Sequence, residues 1–129
     1  MSEITITPLG TISPYTKGNM NCPGVLINYN NKKILLDCGS GITRLLKFPD
    51  TLEDLNVIIT HYHRDHFGDI GSICYASYVY HNLGLLNNKI NIFLPKNDYD
   101  FNKKSIVSSK ESYAKYFDIT DSYSFFIDD

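Results

Sequence analysis

Apolar and polar positions alternate at the start of the chain, where I-T-I-T (4 to 7) predicts a half-buried strand. P-Y-T-K-G-N-M-N-C-P-G (14 to 24), with Pro and Gly at both ends, reads as a loop. V-L-I-N-Y (25 to 29) and K-I-L-L-D-C (33 to 38) are strand-like runs that flank N-N-K. Asn30 and Asn31 tolerate positive φ, so the pair predicts a hairpin. G-S-G (39 to 41) breaks the second strand, and I-T-R-L-L-K-F (42 to 48), apolar at 42, 45 and 46, predicts a short helix. P-D-T-L-E-D-L (49 to 55) is a turn or a single helical turn, and N-V-I-I-T (56 to 60) is a β-branched run with the character of a buried strand.

From Asp69 to about Leu83 the period becomes helical, with Ile70, Ile73, Cys74, Ser77 and Tyr78 on one face and Gly84 as the stop. K-I-N-I-F-L-P (89 to 95) predicts a strand, S-K-E-S-Y-A-K-Y-F (109 to 117) a helix, and Y-S-F-F-I (123 to 127) a last strand. Hairpin strands followed by alternating strands and helices give an α/β layered sandwich. At 129 residues the chain is expected to form a single domain, 1–129, with a sizeable core.

Composition changes this picture little. Hydrophobic residues make up 43% and charged residues 20%, which is ordinary for a globular chain. A formal net charge of -2 gives no global pull toward nucleic acid, although Lys96, Lys103 and Lys104 make a small basic stretch. The N-terminus has no signal-peptide pattern, and no apolar run reaches the length of a membrane span. Cys22, Cys38 and Cys74 are widely spaced, odd in number and without C-x-x-C, which fits a reduced cytoplasmic setting. Each reads as a small buried residue, and Tyr75, Tyr78 and Tyr80 read as packing residues.

Chemistry concentrates in T-H-Y-H-R-D-H-F-G-D (60 to 69), which holds three of the chain's four histidines. If residues 60 to 63 continue the strand, His61 and His63 point to the same side and can chelate one ion. Asp65 and His66 follow a change of chain direction and can face a neighbouring point. Imidazole and carboxylate together suit zinc, and also iron, manganese or nickel. Gly68 is expected to permit a tight turn into the following helix.

H-Y-H-R-D-H (61 to 66) fits the H-x-H-x-D-H signature of the metallo-β-lactamase-fold hydrolases. L-L-D-C-G-S-G (35 to 41) resembles the strand-end Asp-Cys-Gly element of the ribonuclease Z-like and related phosphodiesterase members, and I-I-T (58 to 60) matches the strand between the two. The resemblance covers residues 1 to about 97. It implies an αβ/βα sandwich with a dinuclear site, of zinc or else manganese or iron. It implies that His61 and His63 bind the first metal and Asp65 and His66 the second, with Asp37 orienting a ligating imidazole. It further implies hydrolysis of a phosphodiester or related ester by metal-generated hydroxide, with Asp65 also able to accept a proton, and a substrate that is RNA or a cyclic nucleotide.

The family completes its site with a further His, a bridging Asp and a last His. Downstream of His66 this sequence has only His81, at helical spacing from Ile70, Ile73 and Cys74, and it reads as a packed core histidine. Asp118, Asp121, Asp128 and Asp129 are available as a bridge but sit in no recognisable motif. The chain thus reads as the first half of the sandwich plus a short C-terminal extension. The alternative to a hydrolase is a truncated, inactive half-domain that binds metal and associates with another chain. An incomplete sandwich would expose apolar surface, so self-association as a homo-oligomer is expected.

Overall fold

A computed structural model describes residues 3–96 and 117–121. Its framework is a six-stranded sheet in chain order: β1 (Ile4–Gly10), β2 (Gly24–Tyr29), β3 (Lys32–Leu36), β4 (Leu55–Ile58), β5 (Ile90–Leu94) and β6 (Phe117–Asp121). The first three strands pair antiparallel and the last three add in parallel. Asn30, at φ 50°, closes the tight turn between Tyr29 and Lys32, the hairpin its sequence predicts. Two helices, α1 (Arg64–Phe67) and α2 (Ile70–Asn82), lie in the β4-to-β5 crossover. No described helix is long and apolar enough to cross a membrane.

The period-two rule sorts the strands into two unlike faces. Leu35, Val57, Ile59, Ile90, Ile92 and Leu94 point to one side, where they cluster with Ile70, Ile73 and Cys74 of α2 and with Ile42, Leu52 and Leu86. Burying each such aliphatic side chain contributes about 1.5–3 kcal/mol. The register places Ile6, Ile27, Ile34, Leu36, Ile58 and Phe93 on the other side. These stand outside the core cluster and are half-buried at most. Gly84, at φ 72°, ends α2 in a Schellman turn: its N–H reaches the His81 carbonyl while Leu85 N–H reaches that of Tyr80.

Several expectations need correction. The alternation at 4 to 7 does mark a strand, but Ile4 and Ile6 are 64% and 63% exposed, because β1 is an edge strand whose apolar row faces away from the core cluster. The helix expected over 42 to 48 shrinks to a 3-10 turn, Ile42–Leu45, and Leu46 is already extended. Pro49 disfavours helical backbone in the residue before it, which limits the run from its far end. Gly68 has ordinary helical φ and ψ (−57°, −30°), so its role is not a special turn. A Cβ there would stand 2.6 Å from the Ser40 hydroxyl, and close approach is what the position requires. The helix expected over 109 to 117 lies outside the described residues except for Phe117, which opens β6, and the strand expected over 123 to 127 lies outside them altogether.

Candidate metal centre

β4 ends at Ile58, so the signature is not an extended continuation of the strand. Ile59 stays tied to β5 through the Phe93 carbonyl at 3.0 Å, and the chain then leaves the sheet. His63 is extended (φ −73°, ψ 136°) and opens the single turn α1, which carries Asp65 and His66. The His61 and His63 rings still meet edge to face at 4.7 Å, and His61 also lies 4.0 Å from the His66 ring. Asp65 Oδ2 is 3.5 Å from His66 Nε2. The signature residues thus adjoin in a row, exposed His63 beside His61, His61 beside His66 and His66 beside Asp65, and among the described residues only His61 and His66 gather their ligand atoms with Asp37. Tyr62 points elsewhere: its hydroxyl donates to the Pro95 carbonyl at 2.5 Å and its ring meets Phe67 edge to face, which fixes the loop to the end of β5.

Asp37 is the hub beneath the histidines. It follows β3 in the left-handed region at φ 60°, where a residue with a Cβ is strained and persists only under strong local determination. Its N–H donates to the Ile58 carbonyl at 2.7 Å. Its buried carboxylate accepts from Thr60 N–H at 2.7 Å, from the Thr60 hydroxyl at 2.8 Å on Oδ2, and from His66 Nδ1 at 2.8 Å. The Thr60 hydroxyl also lies 2.9 Å from His61 Nδ1. A carboxylate has no proton to donate, so the hydroxyl's single proton goes to Asp37 and its oxygen accepts from His61 Nδ1–H. Asp37 thereby fixes two imidazoles, one directly and one through Thr60, and leaves Nε2 of each free for a cation.

This donor set fits a metal ion. Asp37, His61 and His66 each offer a ligand atom, all within 4.8 Å of one another. Asp37's oxygens are already engaged by Thr60 and His66, which suits it to orienting the rings more than to binding an ion itself. Thr60 is the residue that sequence reading missed. Its only signal is its place between the β-branched strand and His61, and its partner is 23 residues away.

His81 does not join the cluster. It is half-buried, not a core residue, and its Nε2 lies 2.7 Å from the Asn88 carbonyl. Its expected packing partners Ile70, Ile73 and Cys74 are buried, but His81 comes in the last turn of α2 and serves the loop that follows. Cys38 is buried beside Asp37, and burial pushes its thiol well above the ordinary range, with Asp69 adding to the effect. Burial alone pushes Cys74 up to about 12, and Cys22 is raised as well, again chiefly by burial. All three are free thiols with little tendency to ionise. The side chains of Asp118 and Asp121, and the whole of Lys103, Lys104, Asp128 and Asp129, lie outside the described residues.

Residues 4–116 match the family model described as "Anti-Pycsar protein Apyc1". The Apyc1 protein of Bacillus phage vB_BveM-Goe7 is 32% identical over 95 residues, which make up 70% of this chain and 34% of that protein. Ribonuclease Z of Clostridium tetani is 38% identical over 65 residues, 49% of this chain and 21% of that enzyme. Among solved structures, the metallo-β-lactamase-fold protein YhfI of Bacillus subtilis superposes with a TM-score of 0.77 at 26% identity, covering 92% of this chain and 46% of that one. The chain therefore spans less than half the length of these relatives. A sheet built in strand order, a signature loop at the end of β4 and a carboxylate hub at the end of β3 go together with these matches: the chain belongs to the Apyc1 family and is a ribonuclease Z-like N-terminal portion of the metallo-β-lactamase fold.

Proposed function

We propose that this chain carries the signature half of a dinuclear zinc centre in a hydrolase of phosphodiester or related ester bonds. The observation that carries the reading is the Asp37 hub, which holds His66 directly and His61 through Thr60 and leaves both Nε2 atoms available. In this reading His61 and His63 hold one ion and Asp65 and His66 the other, with manganese or iron as possible replacements. Bound ions of this kind supply Lewis acidity toward a phosphoryl oxygen at neutral pH. Asp65 also stands beside His66 as the carboxylate able to take a proton during attack.

The substrate class follows from kinship. Ribonuclease Z is named for action on RNA, and the L-L-D-C-G-S-G element resembles the phosphodiesterase branch, for which a cyclic nucleotide is the other candidate, so we carry RNA and cyclic nucleotides as the two phosphodiester classes to test. The purified chain would be assayed on bis(p-nitrophenyl) phosphate, on cyclic nucleotides and on short RNA, with Zn2+ or Mn2+ and after chelation. Turnover that chelation removes, metal restores and His66→Ala abolishes is the expected result. A metal-loaded chain inert toward every phosphodiester would overturn the hydrolase reading.

A second reading has its own support. The row Ile6, Ile27, Ile34, Leu36, Ile58 and Phe93 stands outside the core cluster, and the only later histidine, His81, is engaged with Asn88. Both features suit a metal-binding half-domain that associates with another chain, including a second copy of itself. Sedimentation of the purified chain tests this: a concentration-dependent dimer supports it, and a monomer throughout opposes self-association.

A further inference from the structure

Asp69 stands three residues past His66 and directly before α2, where an aspartate ordinarily caps its own helix. Its side chain makes no cap bond there. Oδ2 turns away and accepts from Gly41 N–H at 3.0 Å, Thr43 N–H at 3.1 Å and the Thr43 hydroxyl at 2.8 Å. These donors open the 3-10 turn Ile42–Leu45, whose N-cap, Gly41, is left-handed at φ 92° and brings no side-chain cap of its own. Asp69 thus caps a turn 26 residues away. Hydrogen bonds to an ionised acceptor are roughly twice as strong as neutral ones, so three on one oxygen make a firm tie.

The tied segment lies against the signature loop. Asp69 N–H donates to the Cys38 carbonyl at 3.0 Å, and Cys38 N–H donates to that of His66 at 2.8 Å. Gly39 packs so closely on Asp65 that a Cβ there would collide with the Asp65 carbonyl. Gly68 also packs on Ser40, where a Cβ would stand 2.6 Å from the hydroxyl. Residues 38 to 43 therefore form a strap against the backbone of Asp65 and His66, and Asp69 fastens its far end. His61 and His63 do not touch this strap in any of these bonds; His61 is set by Thr60 and Asp37.

We propose that Asp69 is a positioning residue that, by fastening the 38–43 strap, sets Asp65 and His66 and thereby the second of the two ions, while leaving the first largely alone. The inference rests on the metal-centre reading above. The full chain would be titrated with Co2+ and followed by visible ligand-field absorption, in wild type, Asp69→Ala, Asp69→Asn and Thr43→Val, with a thermal melt of each. Thr43→Val removes one donor without touching Asp69 or α2. The wild type is expected to take two ions. Asp69→Ala is expected to hold the second about 10–100-fold more weakly, the range for groups that orient ligands, with a changed spectrum and the first ion unaltered. Thr43→Val shifts the same way by less, and Asp69→Asn, which keeps an acceptor oxygen, recovers part of the loss.

Unchanged second-ion binding in Asp69→Ala and Thr43→Val would overturn the proposal. So would equal weakening of both ions in step with the melting temperature. If Asp69→Ala does not fold, Thr43→Val and Asp69→Asn decide it by the same outcomes. A wild-type chain that takes up no Co2+ would overturn the metal centre and this inference with it, whereas normal wild-type uptake with unaltered variants overturns this inference alone.

Discussion

His66 and His81 are the same residue in two different settings. Both are half-buried, and each has one ring nitrogen 2.7–2.8 Å from an oxygen. For His66 the oxygen belongs to a buried carboxylate that also serves Thr60 and, through it, His61. For His81 it belongs to the backbone of Asn88, whose own side chain then reaches the Leu52 and Lys89 carbonyls. The first arrangement aims rings at a shared point. The second closes a loop. A histidine's role is therefore set by what its second nitrogen meets, and by whether that partner is shared with other ligands.

The sharpest way to break the contrast is to remove the shared partner. Asp37→Ala is expected to weaken metal binding about 10–100-fold, read by competition with a chelating dye, because both imidazoles lose their orientation. Unchanged affinity would mean that Asp37 serves only the fold. Thr60→Val comes next. It cuts the link to His61 and leaves the His66 bond, so the loss should be at the lower end of that same range, roughly tenfold. A Thr60→Ser control, which keeps the hydroxyl, should restore binding.

His81→Phe should leave metal affinity untouched and lower the melting temperature by a few degrees, since one hydrogen bond is worth about 0.5–1.5 kcal/mol. A drop in metal affinity with no thermal effect would reverse the assignment of the two histidines. The smallest signal comes from the thiols. Burial raises the pKa of Cys38 and Cys74, so their thiolate fraction at pH 8 is below that of an ordinary cysteine. Iodoacetamide should label them slowly in the folded chain and at the ordinary rate once it is unfolded, by mass spectrometry. Rapid native labelling of Cys38 would put an open, reactive thiol beside the Asp37 hub.

How much of this was legible in the sequence depended on distance along the chain. Local chemistry was readable: Asn30 closed its hairpin, Gly84 ended α2, and H-Y-H-R-D-H supplied the two histidines, His61 and His66, that cluster with Asp37. The apolar face of α2 was also readable, because Ile70, Ile73, Cys74 and Ser77 keep helical spacing and are all buried. The route by which His61 and His63 meet was not. They converge through a strand end and a helical turn, where periodicity suggested one continuous strand. The bonds that Thr60 and Asp69 make were invisible because their partners lie 23 to 28 residues away and follow no local pattern. Gly68 looked like a turn glycine, yet its missing side chain makes room for Ser40, a contact set by the fold. β1 was found by its alternation, but nothing in four residues says which face of a sheet the core will occupy.

The proposed metal centre assigns His61, His63, Asp65 and His66 as its ligands. The most direct test is elemental analysis of the purified wild-type chain beside a His61→Ala/His63→Ala variant of equal folded content. The account predicts bound divalent metal in the wild type, with zinc predominant and approaching two ions per chain, and a clear loss in the variant. A folded wild type without metal, or a variant that holds as much as the wild type, would contradict it.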